Sequence, residues 1–203
     1  MEKQRNDRQI RSFEFQTRVI ERKAEEGGEG EKELYVEGYA ARFNSPTVLF
    51  EYGGREYKEQ IAPEAFNEAD MTDVVMNYNH GGKVVARTRN NTLELKVDDE
   101  GLHIRARLDG TEEGRRLYEE IRGGYIDRMS FAFTIREESF DEDAAMWTVR
   151  KVKRLYDVAA VDIPAYDDTS IEARKADVIA AQERAKNQAL SLEKSKLALK
   201  CRL

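Results

Sequence analysis

One serine, two histidines and two aspartates are the residues in this chain whose types and positions permit nucleophilic and acid–base chemistry. Ser130 lies in the run Met129-Ser130-Phe131-Ala132-Phe133, continued by Thr134-Ile135. Read as a strand, the run sends Met129, Phe131, Phe133 and Ile135 to one face and Ser130, Ala132 and Thr134 to the other. The bulky face belongs in a core. The small, hydroxylated face is expected to be an open surface that another molecule approaches closely. A serine there is either a nucleophile or part of the wet side of an ordinary sheet.

A serine nucleophile needs a base, and the base needs an acceptor for its other ring nitrogen. The chain has two histidines, His80 and His103. Leu102, Ile104, Ala106 and Leu108 alternate onto one strand face, which leaves His103 with Arg105 and Arg107 in a solvated charged row. His80 follows the apolar run Val74-Val75-Met76-Asn77-Tyr78 and Asn79, and precedes Gly81-Gly82. There a strand fixes the side chain and a turn leaves it accessible, and imidazole is a competent general base near neutral pH. Asp157 and Asp162 sit between Leu155 and Pro164 among apolar neighbours. A carboxylate buried there requires a partner, either an imidazole N–H or the basic run from Arg150 to Arg154. Asp98, Asp99 and Asp127 fall in turn sequences, where they cap or solvate.

Other chemistries find less support. The single cysteine, Cys201, excludes an internal disulfide and lies near the C-terminal end, without a packed site to activate a thiol. Asp141-Glu142-Asp143 lacks the spacing of a calcium loop. Gly53-Gly54 and Gly123-Gly124 lack the lysine and context of a phosphate loop. Neither metal nor cofactor is expected. The net charge of -6 over 203 residues argues against nucleic-acid or anionic-membrane binding. No apolar run is long enough to span a bilayer, and Met1 to Arg8 has no apolar stretch of a secretory signal. A reducing, cytoplasmic compartment fits.

The elements that must position these residues are mostly strands. Residues 1–11 are polar and read as a disordered N-terminal segment. A first strand is expected near Phe13 to Ile20 and a second over Leu34 to Ala40. Tyr57 to Ile61 reads as a strand leading to a short helix at Ala62-Pro63-Glu64-Ala65-Phe66, with the proline in its first turn. Val74 to Tyr78 is a buried strand. Thr92–Val97 and Leu102–Leu108 form a hairpin, and Thr111 opens a helix that ends at Arg122 before Gly123-Gly124. Met146–Val152 and Lys153–Ile163 read as two strands. From 172 to 203 the chain is rich in Ala, Glu, Lys, Gln and Leu and reads as a helical tail, an interaction or targeting segment outside the core. The fold class is mainly β (α+β), a closed or nearly closed barrel flanked by a few helices, with its main domain over residues 12–171.

Taken in order, Asn79-His80, the hairpin with Asp99-Glu100-Gly101-Leu102, the helix ending in Arg122-Gly123-Gly124, Met129-Ser130-Phe131-Ala132-Phe133, and Tyr156-Asp157-Val158 through Val161-Asp162-Ile163-Pro164-Ala165-Tyr166 resemble the tailed-bacteriophage prohead (capsid maturation) serine protease family. That family is related in fold to the herpesvirus assemblin proteases. The resemblance implies an assemblin-like barrel with His80 as general base, Ser130 as nucleophile and Asp157 as third member, Asp162 being the reserve. Ala132 stands where the family carries glycine. The implied substrates are the scaffold, or the scaffolding segment of the major capsid protein, inside a procapsid in the bacterial cytoplasm. The protease is expected to cut itself as well, the resemblance makes the tail over 172–203 a packaging or self-cleavage segment, and homo-oligomerisation stays open. The alternative is a non-catalytic assembly or scaffold protein that keeps the protease fold.

Overall fold

The computed structural model describes residues 8–14, 18–23, 32–162 and 168–200. The chain divides into two compact units, one ending at Asp167 and one starting at Asp168. The second is a single helix, α2 (Asp168–Lys200), whose apolar residues are spread around its circumference.

The first unit is built on two sheets. Strands β1 (Gln9–Glu14), β10 (Arg128–Asp141), β11 (Met146–Val161), β5 (Arg55–Ile61) and β4 (Thr47–Tyr52) lie side by side in that order. The hairpin of β6 (Val75–Tyr78) and β7 (Gly81–Arg87) joins the same sheet through β11. The second sheet runs β2 (Arg18–Lys23), β3 (Lys32–Arg42), β9 (Gly101–Arg107), β8 (Leu93–Val97). The strands therefore form two open sheets over one core rather than the closed or nearly closed barrel that was expected. That core takes Val36, Leu102 and Ile104 from one sheet and Phe131, Phe133, Leu155 and Val158 from the other.

Strand β11 organises the larger sheet. It pairs antiparallel with β10 along almost its whole length, and parallel with β5 at one end and β6 at the other. It is one continuous strand where the sequence suggested two. Its burial on both faces over Asp157 to Val161 is what its parallel neighbours impose. Four register irregularities interrupt the β10–β11 ladder, the first between Ala132 and Phe133. Such bulges bend and twist a long hairpin locally.

Several local expectations are corrected. The hairpin β4–β5 closes on Gly53 and Gly54, both at positive φ, the two-residue turn that only glycine enters without penalty. Residues 63–68 form successive turns, not a helix. Their amides bond three residues back, as in Ala65 N–H to Ala62 C=O, while the Ala65 carbonyl is taken by the Val152 amide. Gln9 to Arg11, assigned to the disordered segment, begin β1, and the run from Phe13 to Ile20 splits between β1 and β2. Residues 1–7 lie outside the described part. Helix α1 (Glu112–Arg122) is as read: the Thr111 hydroxyl accepts the Gly114 amide at 2.9 Å, and Gly124 leaves the helix at φ 73°.

Phe131 stacks on Phe133 with centroids 4.6 Å apart, and meets Phe66 at 6.1 Å, with no exposed surface. Truncation of Phe131 to alanine is expected to cost about 3–5 kcal/mol. The check is the shift in urea midpoint at unchanged slope.

Candidate functional site

His80 occupies the tip of the β6–β7 hairpin. Tyr78 pairs with Gly81, so Asn79 and His80 are the two central residues of the turn, at φ 48° and 57°. A two-residue hairpin turn requires positive φ at both positions, and asparagine and histidine are among the non-glycine residues that tolerate it. The turn is tied down from outside. Asp162, at the end of β11, accepts hydrogen bonds from the Tyr78 hydroxyl (2.7 Å) and the Asn79 amide (3.0 Å). That bond to Asp162 is also the main reason the Tyr78 phenol titrates above its ordinary range. At the other end, Arg87 donates two hydrogen bonds to Asp73, at 2.6 and 2.7 Å.

The imidazole so placed lies between two partners. His80 Nδ1 is 2.6 Å from Asp157 Oδ1, and Nε2 is 2.6 Å from Ser130 Oγ. A carboxylate can only accept, so the ring proton belongs on Nδ1, and Nε2 faces the serine as an acceptor. The register explains why these residues meet. Ala132 on β10 pairs with Asp157 on β11, which pairs with Val75 on β6; one row along, Ser130, Ala159 and Asn77 are neighbours. Ser130, Ala132 and Asp157 thus share one sheet face, and the β6–β7 turn folds His80 over it. Ala132, fully buried, puts its methyl on this same face beside the carboxylate.

The face is not open, contrary to the expectation from alternation. Ser130 has no exposed surface, Asp157 is 1% exposed, and Thr134 is 3% exposed. A buried carboxylate demands charge or hydrogen-bond partners. Asp157 has His80 on one oxygen and the Arg8 guanidinium on the other.

Of the residues singled out by sequence, His80, Ser130 and Asp157 come together. Asp162 instead braces the turn. His103 lies in the second sheet with its ring edge-on to Tyr39, 5.2 Å between centroids. Asp98 caps its turn by accepting the Glu100 and Gly101 amides. Cys201 lies outside the described residues. No cluster of three or more metal-ligating side chains occurs among the described residues.

Sequence reasoning missed three neighbours of the site. Arg8 carries no local signal, since it stands in a charged stretch. Arg11 contributes its main-chain carbonyl, which accepts from Ser130 Oγ at 2.9 Å. Asn77, buried, has no hydrogen-bond partner for Oδ1. Its trace was a polar residue in an otherwise apolar run.

A hydroxyl, an imidazole and a carboxylate linked in that order form the side-chain relay of a serine hydrolase. The chain belongs to the caudovirus prohead serine protease family, whose family model matches residues 18–184. Among solved structures it is similar to the bacteriophage T4 capsid assembly protease gp21. The likeness has a TM-score of 0.52 at 17% identity, covering 77% of this chain and 99% of that one. At that identity it speaks for the fold. No curated protein matches the chain.

The Arg87 hydrogen bonds hold the Asp73 carboxyl below the usual carboxylate range. Its folded pKa being below its unfolded one, the pair stabilises the hairpin above the ordinary carboxylate range. That stabilisation fades as pH falls through the folded value. Asp73→Asn is therefore expected to lower the thermal midpoint near neutral pH and to flatten its fall below about pH 4. Melting curves of both proteins across that range check it.

Proposed function

We propose that the chain is a serine endopeptidase that matures a phage procapsid, with Ser130 as nucleophile, His80 as general base and Asp157 as the residue that orients the imidazole and stabilises its cationic form. The observation that carries this reading is His80 held at 2.6 Å from both Ser130 Oγ and Asp157 Oδ1.

The chemistry follows from these atoms. His80 Nε2 takes the Ser130 proton as Oγ attacks the carbonyl carbon of a peptide bond, and the carbonyl π pair moves onto oxygen. Asp157, accepting from Nδ1–H, stabilises the imidazolium that forms. Collapse of the tetrahedral species breaks the C–N bond, and the leaving amine receives the proton from Nε2. An ester on Ser130 remains. Water, deprotonated by the same nitrogen, attacks that ester and frees the acid and the serine.

By family membership, the substrates we assign are the scaffold or the scaffolding segment of the major capsid protein, met inside an assembling procapsid in the bacterial cytoplasm. The protease's own chain is a further substrate, and α2 with the residues beyond it is the segment for packaging or removal. Replacement of glycine by Ala132 leaves this reading intact, because the methyl is accommodated within the buried stretch of β10 from Met129 to Ile135.

Co-expression with the cognate capsid protein, followed by mass measurement of the capsid protein's N-terminus, tests the proposal. Ser130→Ala is expected to give procapsids that assemble with uncleaved capsid protein; normal processing by that variant would overturn it. Asp157→Asn, which favours the wrong tautomer, is expected to lower kcat by about 10^4-fold.

A further inference from the structure

The nucleophile described above cannot meet a polymer as it stands, and the element whose main chain touches it is β1. We infer that the edge of β10 filled by β1 is a binding slot for an extended peptide, and that residues Gln9–Glu14 are its self-inhibiting occupant. This rests on the reading of Ser130 as the nucleophile.

The pairing supports it first. β1 is an edge strand, antiparallel to β10, with Arg11 opposite Phe131 and Ser12 opposite Ser130. Adding a strand to a sheet edge is a standard mode of peptide recognition: main-chain bonds give affinity, and pockets for alternate side chains give selectivity. Here the added strand brings its Arg11 carbonyl oxygen to 2.9 Å from Ser130 Oγ. The contact is a hydrogen bond to the oxygen, not an approach to the carbon. With Nδ1 protonated toward Asp157, the hydroxyl has one proton and two acceptors, His80 Nε2 and the Arg11 carbonyl. A proton held by the carbonyl is not delivered to the base.

The anchoring is the second argument. Among the described side chains of β1 the buried ones are polar: Gln9 at 1% and Arg11 at 2% exposure. Arg11 reaches Glu59 on β5, itself 3% exposed, through Nε to Oε1 and through Nη2 to Oε2 at 3.2 Å. The Gln9 amide oxygen accepts from the same guanidinium at 3.2 Å. Arg8, just before the strand, pairs with Asp157 itself. The described anchors of the strand are thus charge pairs at defined points, and a peptide that supplies the same pairs can take its place. Glu59 sets the selectivity: a peptide taking the place of β1 carries a basic side chain where Arg11 now lies, since a carboxylate buried without a cation is costly. The ligand class is an extended segment with an arginine or lysine at that position.

The test uses the full chain with Cys201→Ser, and a fluorophosphonate probe whose attachment to Ser130 is followed by mass spectrometry. Glu14 and Arg128 are register partners, close enough in an antiparallel ladder for a disulfide. The double variant Glu14→Cys/Arg128→Cys is expected to label at least tenfold more slowly when oxidised than when reduced. Arg11→Ala is expected to label at least tenfold faster than its parent, and a synthetic peptide of residues 8–14 to slow it again, the same peptide with alanine for Arg11 doing so far less. Equal rates in the oxidised and reduced forms would overturn the slot, whether or not Arg11→Ala folds. Equal potency of the two peptides would overturn the role of Glu59. Absence of Ser130 labelling in every folded form would overturn the nucleophile itself, and the slot with it.

Discussion

The rest of the structure depends on the burial of one carboxylate. Asp157 lies within the both-sided interior of β11, where an unpaired anion costs several kcal/mol. Its two oxygens are answered from opposite parts of the chain, by His80 from a hairpin tip and by Arg8 from the segment before β1. Everything that places those two groups is secondary to this requirement: the parallel seam of β6 against β11, the positive-φ turn, the brace from Asp162. The turn conformation at His80 is tolerated because the surrounding bonds determine it.

The strand paired with the carboxylate's own, β10, holds the serine. β10 carries two unlike rows, Phe131 and Phe133 stacked into the core and Ser130 and Ala132 under the histidine. Aromatic burial on one row fixes the backbone to which the other row is attached. A serine aligned this way would lose little further freedom in acting as the proposed nucleophile, which is how positioning lowers a barrier. Small residues between the strands matter as well. Ala159, fully buried, lies between Ser130 and Asn77 in register.

Much of this was legible from residue order, and the illegible parts have a common cause. The alternation of Met129 to Ile135, the hairpin over 92–108 and the capped helix at 111–124 are local patterns, and local patterns survive in sequence. So was the cost of an aspartate among apolar neighbours, which pointed to Asp157 and Asp162 alike; the family resemblance chose between them. What could not be read was pairing at a distance. Arg11 looks like a solvated residue until Glu59 arrives from another strand, so the segment holding it read as frayed. β4 escaped notice because its burial pattern lacks clean alternation. The parallel contacts of β11 with β5 and β6 have no signature in either strand alone, and so neither the openness of the sheets nor the covered state of Ser130 could be foreseen.

Among the described strands, β11 is the one that touches every part of the relay: it holds Asp157, pairs with the serine's strand on one side and with the histidine's hairpin on the other. His80 and Asp157 are separated by 77 positions and joined across a parallel seam. Contacts of such long range are the slow ones to form, because loop closure precedes their reward. A chain caught part-way, with the β6–β7 turn and the β8–β9 hairpin already made, holds all three side chains and no relay. Before that seam closes the chain carries Ser130, His80 and Asp157 but not their alignment, so whatever chemistry the three perform waits on the long-range part of the fold.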